Sequence, residues 1–374
     1  MPINNLRVDT FSVVYDLLKP WAVEEFWEFA DCVLVPGSVY VVGRKQTVEN
    51  IDRVRFLAES PEYVVVFDGA AEGSWTLEEQ LKALGLTDLA TTGKLLVLGG
   101  GDMNADFAYM SHDHFVNVFL GYEHNIQEMT RMDEVYNSNP KPYKFLFLNG
   151  RSRPHRKYLW HCFEQSGLLD SAVWTMLDPR PILNPSYLSK EALHRPAPIR
   201  RLPPEYEYQD YKNTEVVIHH PRRQFIKHEM FANTWGEVYL QCEPYRDTYF
   251  SLVTETVFGE SNCSFRTEKI VKPIAMGHPW ICAANVGYYR DLRNLGFQTF
   301  GHVIDESFDL IDNPQDRIDR IVAIVEDLCQ QDLASFLKEC YTICKYNQQH
   351  LKEYREQLRQ TFPDRFCKFL QQYQ

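Results

Sequence analysis

Residues 251–309 constrain the fold of this chain more than any other stretch. They read SLVTETVFGESNCSFRTEKIVKPIAMGHPWICAANVGYYRDLRNLGFQTFGHVIDESFD. Short apolar, β-prone runs alternate there with helical patterns, and Gly, Pro or a charged cluster marks each junction. Residues 251–254 predict a strand that ends at Glu255. A helix then starts at Thr267, whose hydroxyl can accept from a backbone N–H one turn later. Gly277 can close that helix in the left-handed conformation that glycine adopts cheaply. Residues 279–284 predict a buried strand, 288–295 a short helix capped by Gly296, and 297–300 a further strand. Alternation at this pace predicts a parallel, Rossmann-like sheet.

The charges of this stretch fall where such a sheet binds ligands, beyond the carboxyl ends of its strands. Glu255 follows a strand directly, and Glu268, Lys269 and Lys272 occupy the first turns of the next helix. Free N–H groups and the positive end of the helix dipole make that a natural anion site. Two lysines there can hold a diphosphate, and a neighbouring carboxylate can accept from ribose hydroxyls. The same residues also suit a surface helix with an i,i+4 Glu268–Lys272 pair.

The block TETVF…FRTEKIVKPIAMGHPWI…LRNLGFQTFGHVIDESFD resembles the C-terminal donor domain of GT-B glycosyltransferases. The resemblance is to fucosyltransferase-like and exostosin-like sequences, including versions associated with phage and large-virus genomes. In α-1,3-fucosyltransferases a TEK triplet supplies a Glu to the donor ribose and a Lys to the diphosphate, which implies those roles for Glu268 and Lys269. Glu260 and Glu268 resemble the paired glutamates of many GT-B donor sites, and Glu255 joins them in the implied donor site. A second part, KFLFLNGRSRPHR at 144–156, resembles the family's strand, turn and diphosphate-gripping arginine. It implies that role for Arg156, with Arg151, Arg153 and Lys272 in support. The likeness spans residues 144–312. It implies two Rossmann-like domains with a cleft between them and C-terminal helices, in the GT-B architecture. It further implies sugar transfer from a nucleotide-diphosphate sugar to a hydroxyl acceptor, inverting and metal-independent. The nucleotide sugar is then a substrate, and no cofactor is implied. The motifs do not name the sugar or the acceptor, which can be a glycan, a protein or a modified DNA base. Two alternatives stand beside this: a transferase acting on modified bases of phage DNA, and a non-catalytic sugar-nucleotide-binding protein.

A chain of 374 residues accommodates two domains of ordinary size, and 44% hydrophobic with 14% aromatic residues supplies a sizeable core. The formal charge of −12 argues against a general affinity for nucleic acid or anionic membrane, although a local basic cleft stays open. Nine cysteines without a C-x-x-C form neither a disulfide framework nor a metal knuckle. No signal peptide and no apolar run of membrane-spanning length is evident, so the expectation is a cytoplasm, a host's if the gene is viral.

Along the rest of the chain, residues 23–30 and 46–57 predict helices, and 32–36, 39–42, 63–67 and 94–98 predict strands. A helix from residue 75, with Thr76 and Glu79 in capping-box register, ends at Gly85. The Asn- and Pro-rich segment 133–142 predicts a linker. This divides the chain into an acceptor-side domain at 1–138 and a nucleotide-sugar-binding domain at 143–330. Helices over 331–374 then pack back on the first domain. In the second domain 145–148 predicts a strand and 157–163 a helix with Arg156 at its start. Residues 178–213 read as a long loop, 216–220 as a short strand, and 316–328 as an amphipathic helix.

A general base needs a carboxylate at a strand's carboxyl end, within reach of the acceptor. Asp68, after 63–67, and Asp102, after 95–98, fit, with Asp68 first on strand quality; Glu72 and His114 follow. A loop aspartate bonding its own backbone is the competing role for both. Gly99, Gly100 and Gly101 let a backbone approach closely without matching a phosphate-binding glycine motif. The histidines of Ser111-His112-Asp113-His114 lack a third partner at metal-ligand spacing, and the chain contains no D-x-D.

Overall fold

Runs such as YVVVF at 63–67 and LLVL at 95–98 are apolar at every position, as parallel strands covered on both faces must be. In the computed structural model they become the centre of a six-stranded parallel sheet. The structure describes residues 5–70, 74–137, 139–178, 188, 193, 197–200, 202, 218–220, 223–225, 240–259 and 263–372. The chain divides into two units. One comprises residues 1–117, 262–266 and 353–374, and the other residues 118–261 and 267–352. Each carries its own parallel sheet, so the protein is an α/β protein of two units.

The first unit's sheet contains β1 (Leu6–Asp9), β2 (Glu24–Phe26), β3 (Ser38–Gly43), β4 (Tyr63–Gly69), β5 (Leu95–Gly99) and β7 (Tyr109–Ser111), ordered β2-β1-β3-β4-β5-β7. Alternate residues of β3–β5 feed two cores. Val39, Val41, Val66, Leu96 and Leu98 pack with Phe362, Phe366, Phe369 and Leu370 of the C-terminal helix. Tyr40, Val42, Val65, Phe67, Leu95 and Val97 pack with Val54 and Leu57 of the helix Ile51–Glu59. A short strand β6 (Asp102–Met103) pairs antiparallel with β13 (Cys263–Ser264).

In the second unit β8 (Phe145–Asn149), β9 (Ala172–Met176), β12 (Phe250–Thr254) and β14 (Trp280–Ala283) form a parallel sheet in the order β14-β12-β8-β9. The remaining strands, β10 (Ile218–His220) and β11 (Arg223–Phe225), make an antiparallel pair. From β8 the chain moves outward to β9, then returns to the other side of β8 as β12. The strand order therefore reverses between β8 and β12, and it reverses likewise between β1 and β3 in the first sheet. Such reversals open a crevice at the strands' carboxyl ends.

Four local expectations fail for identifiable reasons. Residues 23–30 form β2 and a 3-10 turn, Phe29–Asp31, in place of a helix. Strand β1 offers Glu24 to Phe26 a pairing edge, Arg7 meets Glu24 across it, and the Gln46 side chain takes up Phe29 N–H and Trp27 C=O. Residues 32–36 are not a strand. Arg53 donates to Cys32 O, and the Tyr40 hydroxyl bonds Val33 O and Val35 N, so side chains occupy the backbone groups that a ladder would use. Residues 297–300 are not a strand because the Asn347 amide accepts from Gln298 N at 2.8 Å and donates to Gln298 O at 2.8 Å. Thr76 lies inside a helix that begins at Ser74, so it cannot cap it.

Residues 118–138 group with the second unit, and 353–374 group with the first, whose core takes in Phe362, Phe366, Phe369 and Leu370. The C-terminal segment is one long helix, Leu333–Gln371.

In the glycine run that closes β5, Gly101 is closely approached by backbone. Gly101 has φ +72°, and a Cβ there would stand 2.2 Å from Ser264 O, where β13 meets β6. Gly101→Ala should destabilise the protein by about 1–3 kcal/mol in urea denaturation, through left-handed strain and the displaced strand. A smaller change would show that the β6–β13 pair yields freely.

Candidate functional site

The carboxyl ends of β8 and β12 gather most of the charged residues singled out in the sequence. Glu255, the residue after β12, is fully buried. Its Oε1 accepts from Thr267 N at 3.0 Å and Tyr288 Oη at 3.1 Å. Its Oε2 accepts from Thr267 Oγ1 at 2.7 Å and Thr256 N at 3.1 Å. The carboxylate therefore fixes the start of the next helix. Thr267 caps that helix, Glu268–Met276, by accepting from Lys269 N, and Gly277 ends it at φ 62°.

Glu268 and Lys269 pair directly, at 2.5 Å between Oε1 and Nζ. Burial raises the Glu268 pKa, but Lys269 and then Lys272 outweigh it, so the carboxyl stays below its ordinary range. Glu268 is buried while Lys269 and Lys272 are partly exposed. The triplet thus places one partly exposed ammonium, that of Lys269, on an ionised carboxylate, with Lys272 one turn on.

After β8 the chain turns through Gly150 and the arginines into the helix Pro154–Gln165. Pro154 needs no N–H partner in the first turn, and no side chain caps this helix. In the turn before it Ser152 N donates to Asp178 Oδ2 at 3.1 Å, and the first-turn N–H groups with the helix dipole favour an anion there. Arg151 is exposed and Arg153 partly so. Arg156 is buried. It donates to Arg151 O at 3.0 Å, Thr254 O at 3.0 Å and Glu255 O at 3.3 Å, so it ties the end of β12 to the turn after β8.

His155 bonds Glu255 O through Nε2 at 2.9 Å and stacks on Phe258. Burial, then the neighbouring Arg156, pushes its pKa well below the ordinary imidazole value.

Three buried polar residues lie at this crevice without having been singled out as site residues: Asn149 within the 144–156 segment, Tyr288 at the first position of a helix, and Asn285 in the turn between β14 and that helix.

The third helix start, at Tyr288–Asn294, is closed by Asp309, which accepts from Tyr289 N at 2.9 Å and Arg290 N at 3.2 Å. Glu260 lies outside the described residues.

Asp68 and Asp102 belong to the first unit. Asp68 is buried at the end of β4, and its carboxylate accepts from Ser12 Oγ, Val13 N and Ala70 N at 2.5, 2.7 and 3.1 Å. Burial raises its pKa against those bonds. Asp102 is 53% exposed and pairs with Arg266 at 2.9 Å. The buried Arg266 also forks onto Asp113, which accepts from the Tyr354 hydroxyl as well. His112 is buried edge-on to Phe362, and burial pushes its pKa down to about 3. Comparison with protein-family models, curated proteins and solved structures finds no match to this chain.

His155 generates a pH prediction. Unfolded, it titrates near the ordinary value of about 6.5, whereas the native state refuses the proton until much lower pH. Its contribution is present above the unfolded pKa and is lost as pH falls from there towards the native value. His155→Gln should flatten the acid limb of stability between about pH 6.5 and 5 by up to about 1.4 kcal/mol per pH unit. Urea denaturation across that window measures it, and an unchanged slope would mean that His155 accepts its proton readily when folded.

Proposed function

We propose that this protein transfers a sugar from a nucleotide-diphosphate sugar to a hydroxyl acceptor, holding the donor diphosphate at the carboxyl ends of β8 and β12. One observation carries the reading. The uncapped, arginine-flanked start of Pro154–Gln165 and the Lys269–Glu268 pair meet where the strand order reverses. The likeness of the TEK triplet and the 144–156 segment to GT-B donor domains supports it.

In the step itself the acceptor oxygen bonds to the anomeric carbon as the bond from that carbon to the diphosphate oxygen breaks. The nucleoside diphosphate leaves with the electron pair, and the acceptor's proton passes to a base. Charge develops on the leaving diphosphate, and groups fixed beforehand stabilise it most effectively. Lys269, Lys272, Arg151, Arg153 and the open helix start are assigned that task. Arg156 serves by positioning, because its guanidinium is committed to backbone carbonyls. For the base, exposure favours Asp102 over the enclosed Asp68.

Incubation with a panel of nucleotide sugars, scored by release of nucleoside diphosphate, tests the reading; no release and no binding across the panel would end it. Lys269→Ala and Lys272→Ala should each weaken nucleoside-diphosphate binding by about tenfold or more in calorimetry, the scale of a charge-assisted hydrogen bond. Arg156→Ala should instead lower thermal stability. Unchanged affinity in both lysine variants would remove the diphosphate assignment.

Transfer should also survive excess chelator, since basic side chains supply the neutralisation. Loss of activity on chelation, restored by magnesium or manganese, would contradict that.

A further inference from the structure

Two amides at the same crevice have unused hydrogen-bonding capacity of opposite kinds. Asn149, the last residue of β8, is 1% exposed. Its Oδ1 accepts from Thr254 Oγ1 at 2.8 Å, which turns the side chain toward the end of β12. Its Nδ2 has no hydrogen-bond partner among the described residues. Asn285, two residues beyond β14, is 3% exposed. Its Nδ2 donates to Val286 O at 3.0 Å, so the oxygen is the atom left over, and it too is without a partner. Buried amide atoms are seldom left unsatisfied, because burial strips them of water without return.

We infer that these amides are the two ends of one ligand site, resting on the donor-binding reading above. Asn149 Nδ2 donates to a phosphate oxygen seated on the start of Pro154–Gln165. Asn285 Oδ1 accepts from an O–H or N–H of the nucleoside part of the same molecule. Position argues for a single ligand. Asn149 ends β8 and Asn285 follows β14, with β12 between them. Two strand spacings amount to about 10 Å. Phosphate and pyrophosphate are too short to reach both ends and carry no donor for Asn285 when ionised. A nucleoside diphosphate has the length, the acceptors at one end and the donors at the other. Glu268 opens the helix that leads from β12 to β14.

The test is calorimetric titration of the full chain with ADP, GDP, UDP, CDP and dTDP, and separately with pyrophosphate. Asn149→Asp keeps the oxygen that serves Thr254 and replaces the donor with negative charge. It should weaken both the preferred nucleotide and pyrophosphate by about tenfold or more. Asn285→Leu removes the acceptor. It should weaken the nucleotide by about tenfold and leave pyrophosphate within about twofold; Asn285→Ala serves if the leucine variant does not fold. Wild-type nucleotide affinity in both positions' variants would overturn the two-ended site while leaving the donor reading intact. The same holds if the variants only lose thermal stability without ligand, as expected for amides bonded to an ordered water. Equal loss of pyrophosphate affinity at both positions would reduce the site to a single anion pocket. Failure of every nucleotide to bind the wild type would overturn the donor reading, and this inference with it.

Discussion

A buried carboxylate must be saturated with donors or give up its charge, and Glu255 is supplied with four. Those bonds join the end of β12 to Thr267, the cap of one helix, and to Tyr288, on another. Arg156 and His155 reach the same point from the other side through the backbone carbonyl of Glu255. The second unit's crevice therefore has a rigid floor, with three elements locked to one residue. Lys269 and Glu268 stand where they do because Thr267 is held. Their chemistry is set by that attachment as much as by their own charges, since a site is only as well placed as the groups that support it.

The same logic separates gripping residues from framing ones. A long side chain whose donors are spent on backbone carbonyls cannot also close on a ligand, so Arg156 frames the site. Arg151 is exposed, and Lys269 and Lys272 are partly exposed, with the Lys269 ammonium also bonded to Glu268 and Thr267. In the first unit, Arg266 resembles Arg156 in being buried and committed, here to Asp113 and Asp102. Burial works against the charge on Arg266, but Asp113 and Asp102 outweigh it and hold its pKa above the ordinary value. That pair anchors β13 beside β6 and fixes the segment immediately before the TEK triplet.

Much of the α/β pattern was legible because periodicity and punctuation agreed. The runs at 63–67 and 145–148 are apolar throughout, and Gly85, Gly277 and Gly296 end helices at positive φ. What failed was local pattern overruled by a distant partner. No reading of residues 297–300 could foresee that Asn347, some fifty positions on, would occupy both backbone groups of Gln298. The linker-like composition of 133–142 falls within the second unit and begins in the short helix Met132–Val135. In the site, the charged motif residues were visible because charge next to a buried strand is costly and so conspicuous. The amide roles of Asn149, though it lies within the 144–156 segment, and of Asn285 were not, because an amide at the end of an apolar run is an ordinary way to finish a strand. Only the structure reveals that each leaves an atom without a partner among the described residues.

The account stands or falls on where an anion binds. The most direct measurement is a crystal structure of the full chain grown with a saturating nucleoside diphosphate. The account predicts phosphate density at the first turn of Pro154–Gln165, within hydrogen-bond distance of Asn149 Nδ2, and the nucleoside extending past Glu268 toward Asn285. A nucleotide bound elsewhere, with the ends of β8 and β12 holding only water, would contradict it.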